Sequence, residues 1–296
     1  MIEDKDKKLY EGGTMKRLRY IVLTAIFLVL VSAPGAFAAK GKVELAYVEW
    51  SCATASINVV KAVLEDKMGY EVEITPVSAA AMYQAIASGD VDGMTTAWLP
   101  VTHAHYMEKM KGKLVDLGTN CEGAGIGLVV PTYVTIDSIE EMNRYADRFD
   151  NRITGIDPGA GIMSKTELAI KEYNLDKFEL MEGTGAIMTA VLKDKIKNNE
   201  WVVVTGWTPH WKFARWDLKY LKDPKGIYGG AEEIRTIVRK GLDKDMPEVY
   251  AFLDNFHWTL ADIGQVMGWN ADGDDPADSA KRWIKENPDK VKAWLK

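Results

Sequence analysis

The chain has 296 residues, 47% hydrophobic and 27% charged, with 25 Gly and 10 Pro, which describes an ordinary globular protein and excludes a disordered, collagenous or many-spanning membrane chain. Lysine and arginine number 37 against 43 aspartate and glutamate, a net charge of −6, so the basic face needed to neutralise phosphates is missing and no nucleic-acid partner is expected. Two cysteines, Cys52 and Cys121, exclude a zinc-type cluster and a disulfide-dense scaffold and leave one possible disulfide between them.

The N-terminal stretch reads as an address. Lys16, Arg17 and Arg19 form a basic region, Tyr20 to Val31 is apolar and uncharged, and Ala36-Phe37-Ala38 is a small-x-small cleavage pattern. Residues 15–38 are therefore expected to be a signal peptide cleaved near Ala38, with no lipobox cysteine, delivering the product to the periplasm. Residues 1–14 are expected to be an upstream extension with the true start at Met15, since Glu11-Gly12-Gly13 is what a purine-rich ribosome-binding site spells when translated.

From residue 42 short apolar runs alternate with helical patterns, the signature of an α/β protein with parallel strands. Strands are expected at 43–48, 71–77 and 91–97. The intervening helices are a first one capped by Ser56, with Ile57, Val60 and Leu64 on one face, and a second at 79–88; a third follows at about 101–111. The plan then repeats: strand 153–156, the turn Asp157-Pro158-Gly159-Ala160-Gly161, helix 162–173, strand 178–182, helix 186–198 and strand 201–205. Ser78 to Met82 before Trp98-Leu99-Pro100 echoes Thr184 to Met188 before Trp207-Thr208-Pro209, an internal repeat of about one hundred residues that implies two similar lobes rather than a solenoid. The expected division is a first lobe at 39–128, a second at 129–227, and a return to the first at 228–296 with helices at 247–256, 276–286 and 288–295. Crossovers are expected at 125–130 and 218–228, which gives a two-lobed α/β fold with a ligand cleft between the lobes.

Ten tryptophans stand out. Trp201, Trp258, Trp269, Trp283 and Trp294 have core-like spacing. Trp50, Trp98 and Trp207 instead fall where the chain leaves a predicted strand, at the carboxyl ends where open α/β sheets bind ligands. Three indole faces converging on a cleft favour a bulky, poorly hydrated cation such as a quaternary ammonium. A lysine-like ammonium would lose water there without gaining acceptors. The turn Gly159-Ala160-Gly161 opens a helix whose free N–H groups make an anion site.

Four segments in order, Ala46-Tyr47-Val48-Glu49-Trp50, Ala97-Trp98-Leu99-Pro100-Val101-Thr102-His103-Ala104-His105, Gly155-Ile156-Asp157-Pro158-Gly159-Ala160-Gly161-Ile162-Met163 and Thr205-Gly206-Trp207-Thr208-Pro209-His210-Trp211, resemble the glycine betaine substrate-binding proteins of ABC osmoprotectant importers. The resemblance runs over about 42–295 in the unpermuted order and implies the type II periplasmic-binding-protein fold. It implies that Trp50, Trp98 and Trp207 form an aromatic cage around a trimethylammonium group, while the Gly161 and Ile162 backbone N–H groups and His103 hold the ligand carboxylate. It also implies a membrane permease partner with a separate ATPase, no enzymatic activity and no cofactor. Many relatives carry an acidic residue after the first cage tryptophan, where this chain has Ser51-Cys52.

An alternative from another class is an exported enzyme acting on a betaine-like or choline-like compound through Cys52 and His103, although no nucleophile-elbow motif accompanies them. His103 and His105, even with His210 added, do not make a metal site, because residues i and i+2 of a helix face different ways.

Overall fold

The structure, a computed structural model, describes residues 39–296, so the expected extension and signal peptide lie outside the described residues. Its first elements are strand β1 (Lys42–Tyr47), helix α1 (Ser51–Asp66), β2 (Glu71–Pro76), α2 (Ala79–Ser88), β3 (Gly93–Leu99) and the short α3 (Ala104–Lys109). Next come β4 (Leu114–Pro131), a 3-10 segment (Ile139–Phe149), β5 (Arg152–Thr154), α4 (Gly161–Glu172), β6 (Glu179–Met181), α5 (Gly185–Lys197), β7 (Val204–Thr208), α6 (Lys212–Arg215) and β8 (Leu218–Tyr220). The chain closes with β9 (Glu232–Arg239), α7 (Leu242–Asp245), α8 (Pro247–Asn255), α9 (Leu260–Asp272), α10 (Pro276–Glu286) and α11 (Pro288–Trp294).

The strands run in the order β2-β1-β3-β9-β4-β7-β5-β6, with β8 on β4. Each half is built on a parallel core, β2-β1-β3 in the first and β7-β5-β6 in the second. Against the all-parallel expectation the sheet is mixed, because β9 and β4 run antiparallel to their neighbours. Both were absent from the sequence expectations. In β4 the register shifts between Asp116 and Gly118, Thr119 and Cys121, and Cys121 and Ala124, and such bulges destroy the alternation that identifies a strand.

Strand β4 joins the halves. It pairs with β9 as far as Ala124 and with β7 from Gly125 on, so the first crossover is the Ala124–Gly125 step rather than all of 125–130. The second runs between β8 and β9, over 221–231, a few residues later than expected. Gly123 and Gly229 beside these passages have φ of +79° and +76°, a conformation open to glycine at little cost.

The repeat is visible in the caps. Ser78 Oγ accepts from Ala81 N at the start of α2, and Thr184 Oγ1 accepts from Ile187 N at the start of α5. Ser56, in contrast, is no cap. Helix α1 begins at Ser51 behind Trp50, and Ser56 is buried inside it, sharing a 2.8 Å hydrogen bond with Thr95. Helix α1 is buried along most of its length because α9 and α10 pack on it from the C-terminal segment. Trp258, Trp283 and Trp294 belong to that packing, the last two stacked at 5.5 Å. Among the described residues no helix is long and apolar enough to cross a membrane.

Candidate functional site

Trp50 stands at the N-terminus of α1, Trp98 one residue before the end of β3, and Trp207 one residue before the end of β7. The two strand ends are repeat-related, which is why indoles from different halves meet. Together with His103, Gly161 and Ile162 they line one cavity, closed further by Cys52, Ile126 and Ile156. All six residues singled out in the sequence thus share one cavity. Its walls are almost entirely apolar or aromatic, and all three cage tryptophans are buried.

The halves touch around this cavity. The Trp50 indole N–H donates to Asp157 Oδ2 at 2.9 Å, and Tyr106 Oη donates to the Gly159 carbonyl at 2.8 Å. Gly161 lies so close to Thr102 that a β-carbon on it would stand 2.2 Å from the Thr102 carbonyl oxygen. Ser51 Oγ, directly after Trp50, accepts from the Trp211 indole at 3.2 Å. A wider cleft next to the cavity has Glu49, Ser78, Asp157 and Thr184 on its walls, so the caps of both repeat-related helices face it.

The Trp98 loop is fixed at both ends. His103 Nδ1 accepts from the Trp98 backbone N–H at 3.0 Å, and the His103 N–H donates back to the Trp98 carbonyl at 2.9 Å. An acceptor at Nδ1 places the imidazole proton on Nε2, so the neutral ring keeps one donor for the cavity. Glu232, buried at the start of β9, accepts from Val101 N at 2.9 Å, Thr102 N at 2.7 Å and, more closely still, the Thr102 hydroxyl. This carboxylate ties the second crossover to the loop carrying Trp98 and His103. The residue went unremarked in the sequence, where a glutamate opening a strand carries no signal.

Burial, with a smaller push from His105, brings the pKa of His103 from 6.5 down to about 3, so the ring is neutral across the physiological range. The same shift affects stability. The unfolded chain takes up the proton near 6.5 and the folded chain resists it, so stability is complete above that pH and declines as pH falls towards 3. Between pH 6.5 and 4.5 His103 alone should remove about 2–3 kcal/mol from the unfolding free energy. Urea unfolding curves at the two pH values check this, and unchanged stability at pH 4.5 would contradict a buried neutral imidazole.

Helix α4 supplies the polar end of the cavity. Its N-cap Ala160 gives no side-chain hydrogen bond, leaving the N–H groups of Gly161 and Ile162 without a side-chain cap at the positive end of the helix. An anion is the natural complement of that end. One wall of the cavity thus suits a bulky cation and another suits a carboxylate.

Cys52 and Cys121 are free thiols in the structure, so the sequence-based disulfide is not formed. Cys121 Sγ donates to the Glu122 carbonyl at 3.7 Å. Burial raises the two thiols to about 11 and about 12, which keeps both protonated. With its Cys52 thiol protonated and its His103 Nδ1 occupied by a backbone N–H, the enzyme alternative lacks both an activated nucleophile and a base. His105 is exposed, its ring tilted at 41° to that of Tyr106 with the centroids 3.9 Å apart, whereas His103 is buried.

Residues 41–286 match the family model described as the OpuAC substrate-binding domain of ABC-type glycine betaine transport systems. The chain belongs to this family. Among its relatives, the glycine betaine/carnitine transport binding protein GbuC of Listeria monocytogenes is 53% identical over 162 residues, 54% of this chain and 54% of that protein. The chain thus spans about half the length of that curated relative. Lactococcal OpuAC, solved closed in complex with glycine betaine, superposes with a TM-score of 0.83 at 42% identity, over 87% of this chain and 100% of the other. The glycine/betaine/L-proline-binding protein ProX of Borrelia burgdorferi gives 0.83 at 41% identity, over 86% and 97%. As in these OpuAC-like domains, the fold is two-lobed, periplasmic-binding-protein-like and mixed α/β, with the cavity between the lobes and two crossovers.

Proposed function

We propose that the protein is the extracytoplasmic substrate-binding component of an ABC importer, capturing glycine betaine or a closely related trimethylammonium zwitterion and delivering it to a membrane permease driven by a separate ATPase. The observation carrying this is one apolar cavity that joins three indoles to the open N-terminus of α4. Trp50, Trp98 and Trp207 surround the methylated ammonium, where cation–π attraction replaces weak hydration. The Gly161 and Ile162 N–H groups and His103 Nε2–H bind the carboxylate, which the neutral His103 does as a hydrogen-bond donor. The ligand bridges the lobes, expected at 39–128 with 228–296 and at 129–227, so its binding favours closure about Gly123 and Gly229. Transport to the periplasm follows from cleavage of the signal peptide near Ala38. No chemistry is performed on the ligand.

Calorimetric titration of the purified protein with glycine betaine, alongside proline and choline, tests the proposal. Saturable betaine binding with a change in tryptophan fluorescence and little response to proline is expected, because proline's ammonium is hydrogen-bonding and loses water in the cage. Absence of betaine binding would overturn the assignment.

A further inference from the structure

Lys212 is among the buried ionisable groups that the binding mechanism does not use. Lys212 opens α6 and is fully buried. Among the described residues its ammonium finds no hydrogen-bond acceptor, and it stands 4.4 Å from the centroid of Trp207 and 5.3 Å from that of Phe213. Buried lysines are ordinarily paired with a carboxylate. Here aromatic faces take that place, and one of them is a wall of the ligand cavity, although Lys212 itself does not line the cavity.

We propose that Lys212 is a specificity-determining residue that makes the cavity select zwitterions over ligands of net positive charge, so that choline is rejected relative to glycine betaine. This deepens the proposed function and rests on it. A quaternary ammonium held by the Trp207 ring lies within about 10 Å of Lys212 Nζ, since each cation sits no more than about 6 Å from the ring. The two charges repel and compete for the same π-electrons. A zwitterion offsets the repulsion with its own carboxylate, whereas choline brings only the cation. The difference amounts to about tenfold in relative affinity at an intermediate dielectric.

Deprotonation offers a reversible way to remove the charge. Burial brings Lys212 down to about 7, with Cys52 pulling weakly the other way. The groups facing it do not titrate in the same range. Cys52 on α1 stays a thiol, and His210 in the preceding turn, with its ring 4.7 Å from Trp207, is depressed well below ordinary histidine by burial. His103 across the cavity is held at about 3, and Tyr220, stacked on Phe213, is raised by burial. Asp157 bonds the Trp50 indole, and Arg215 on the same short helix pairs with Asp272.

The test is the ratio of choline to betaine dissociation constants, measured by calorimetry at pH 6 and pH 8.5 for the wild type and for Lys212→Met. In the wild type the ratio should fall about fivefold to tenfold on going to pH 8.5. Lys212→Met should show the low ratio at both pH values. A wild-type ratio independent of pH, or a variant that retains the wild-type ratio and profile, would overturn the proposal. Should Lys212→Met fail to fold, the wild-type profile decides alone. A protein that binds no betaine at either pH overturns the parent function together with this inference, while betaine binding with a flat ratio overturns only the role of Lys212.

Discussion

Replacing Trp50, Trp98 or Trp207 by Ala should each weaken glycine betaine binding by about tenfold to a hundredfold. A desolvated cation–π contact is worth ~0.5–2 kcal/mol, and 1.4 kcal/mol is a factor of ten. Truncation also opens a gap in a wall built from buried rings, so the remaining indoles lose their fixed orientation. Trp50→Ala should fall at the severe end, because it additionally removes the 2.9 Å bond to Asp157 that spans the cleft. Each variant also loses core packing, so a circular dichroism spectrum and melting temperature must accompany each titration. Replacement by Phe keeps a π face and should recover part of the affinity. Folded Ala variants that all bind within twofold of wild type would remove the tryptophan cage from the mechanism.

Gly161→Ala isolates closure from folding. The added β-carbon would stand 2.2 Å from the Thr102 carbonyl oxygen and 2.9 Å from its carbonyl carbon. Backbone atoms cannot swing aside as a flexible side chain would, so α4 and the Thr102 loop must separate. Gly161 is not among the glycines of positive φ, and within a helix alanine is favoured over glycine by up to ~1 kcal/mol, so the open protein should be as stable as wild type or slightly more so. The proposed carboxylate site includes the Gly161 N–H at this same contact. Betaine affinity should therefore drop by more than about a hundredfold, with the ligand-free melting temperature unchanged or raised. Thermal melts with and without betaine read both effects at once. Wild-type affinity in this variant would mean that the lobes need not approach at Thr102 to hold the ligand.

The legible parts of the protein were those written in local patterns. Parallel strands β1, β2, β3, β5 and β7 were recognisable from short apolar runs, and α2 and α5 from their capped starts at Ser78 and Thr184. Errors arose where tertiary contacts override such signals. Ser56 has the chemistry of a helix cap, yet its hydroxyl is used on Thr95 inside a helix that begins five residues earlier. Strand β4 is rich in glycine and polar residues, and only its partners β9 and β7 make it a strand.

The cavity divides in the same way. Residue type, strand-end position and the internal repeat point to Trp50, Trp98 and Trp207 as a cage and to an open helix end after Gly161, while the family resemblance is what implies a carboxylate role for His103, Gly161 and Ile162. By itself, then, the amino-acid order determined the two-lobed α/β plan and the family, and it named six residues that line one cavity. Only the tertiary structure decided that Glu232 clamps the Thr102 loop, that Cys52 and Cys121 remain separate thiols, and that the ammonium of a buried lysine stands against Trp207. These contacts join residues far apart in the chain or depend on burial, and neither distance through space nor loss of solvent is encoded in any local pattern.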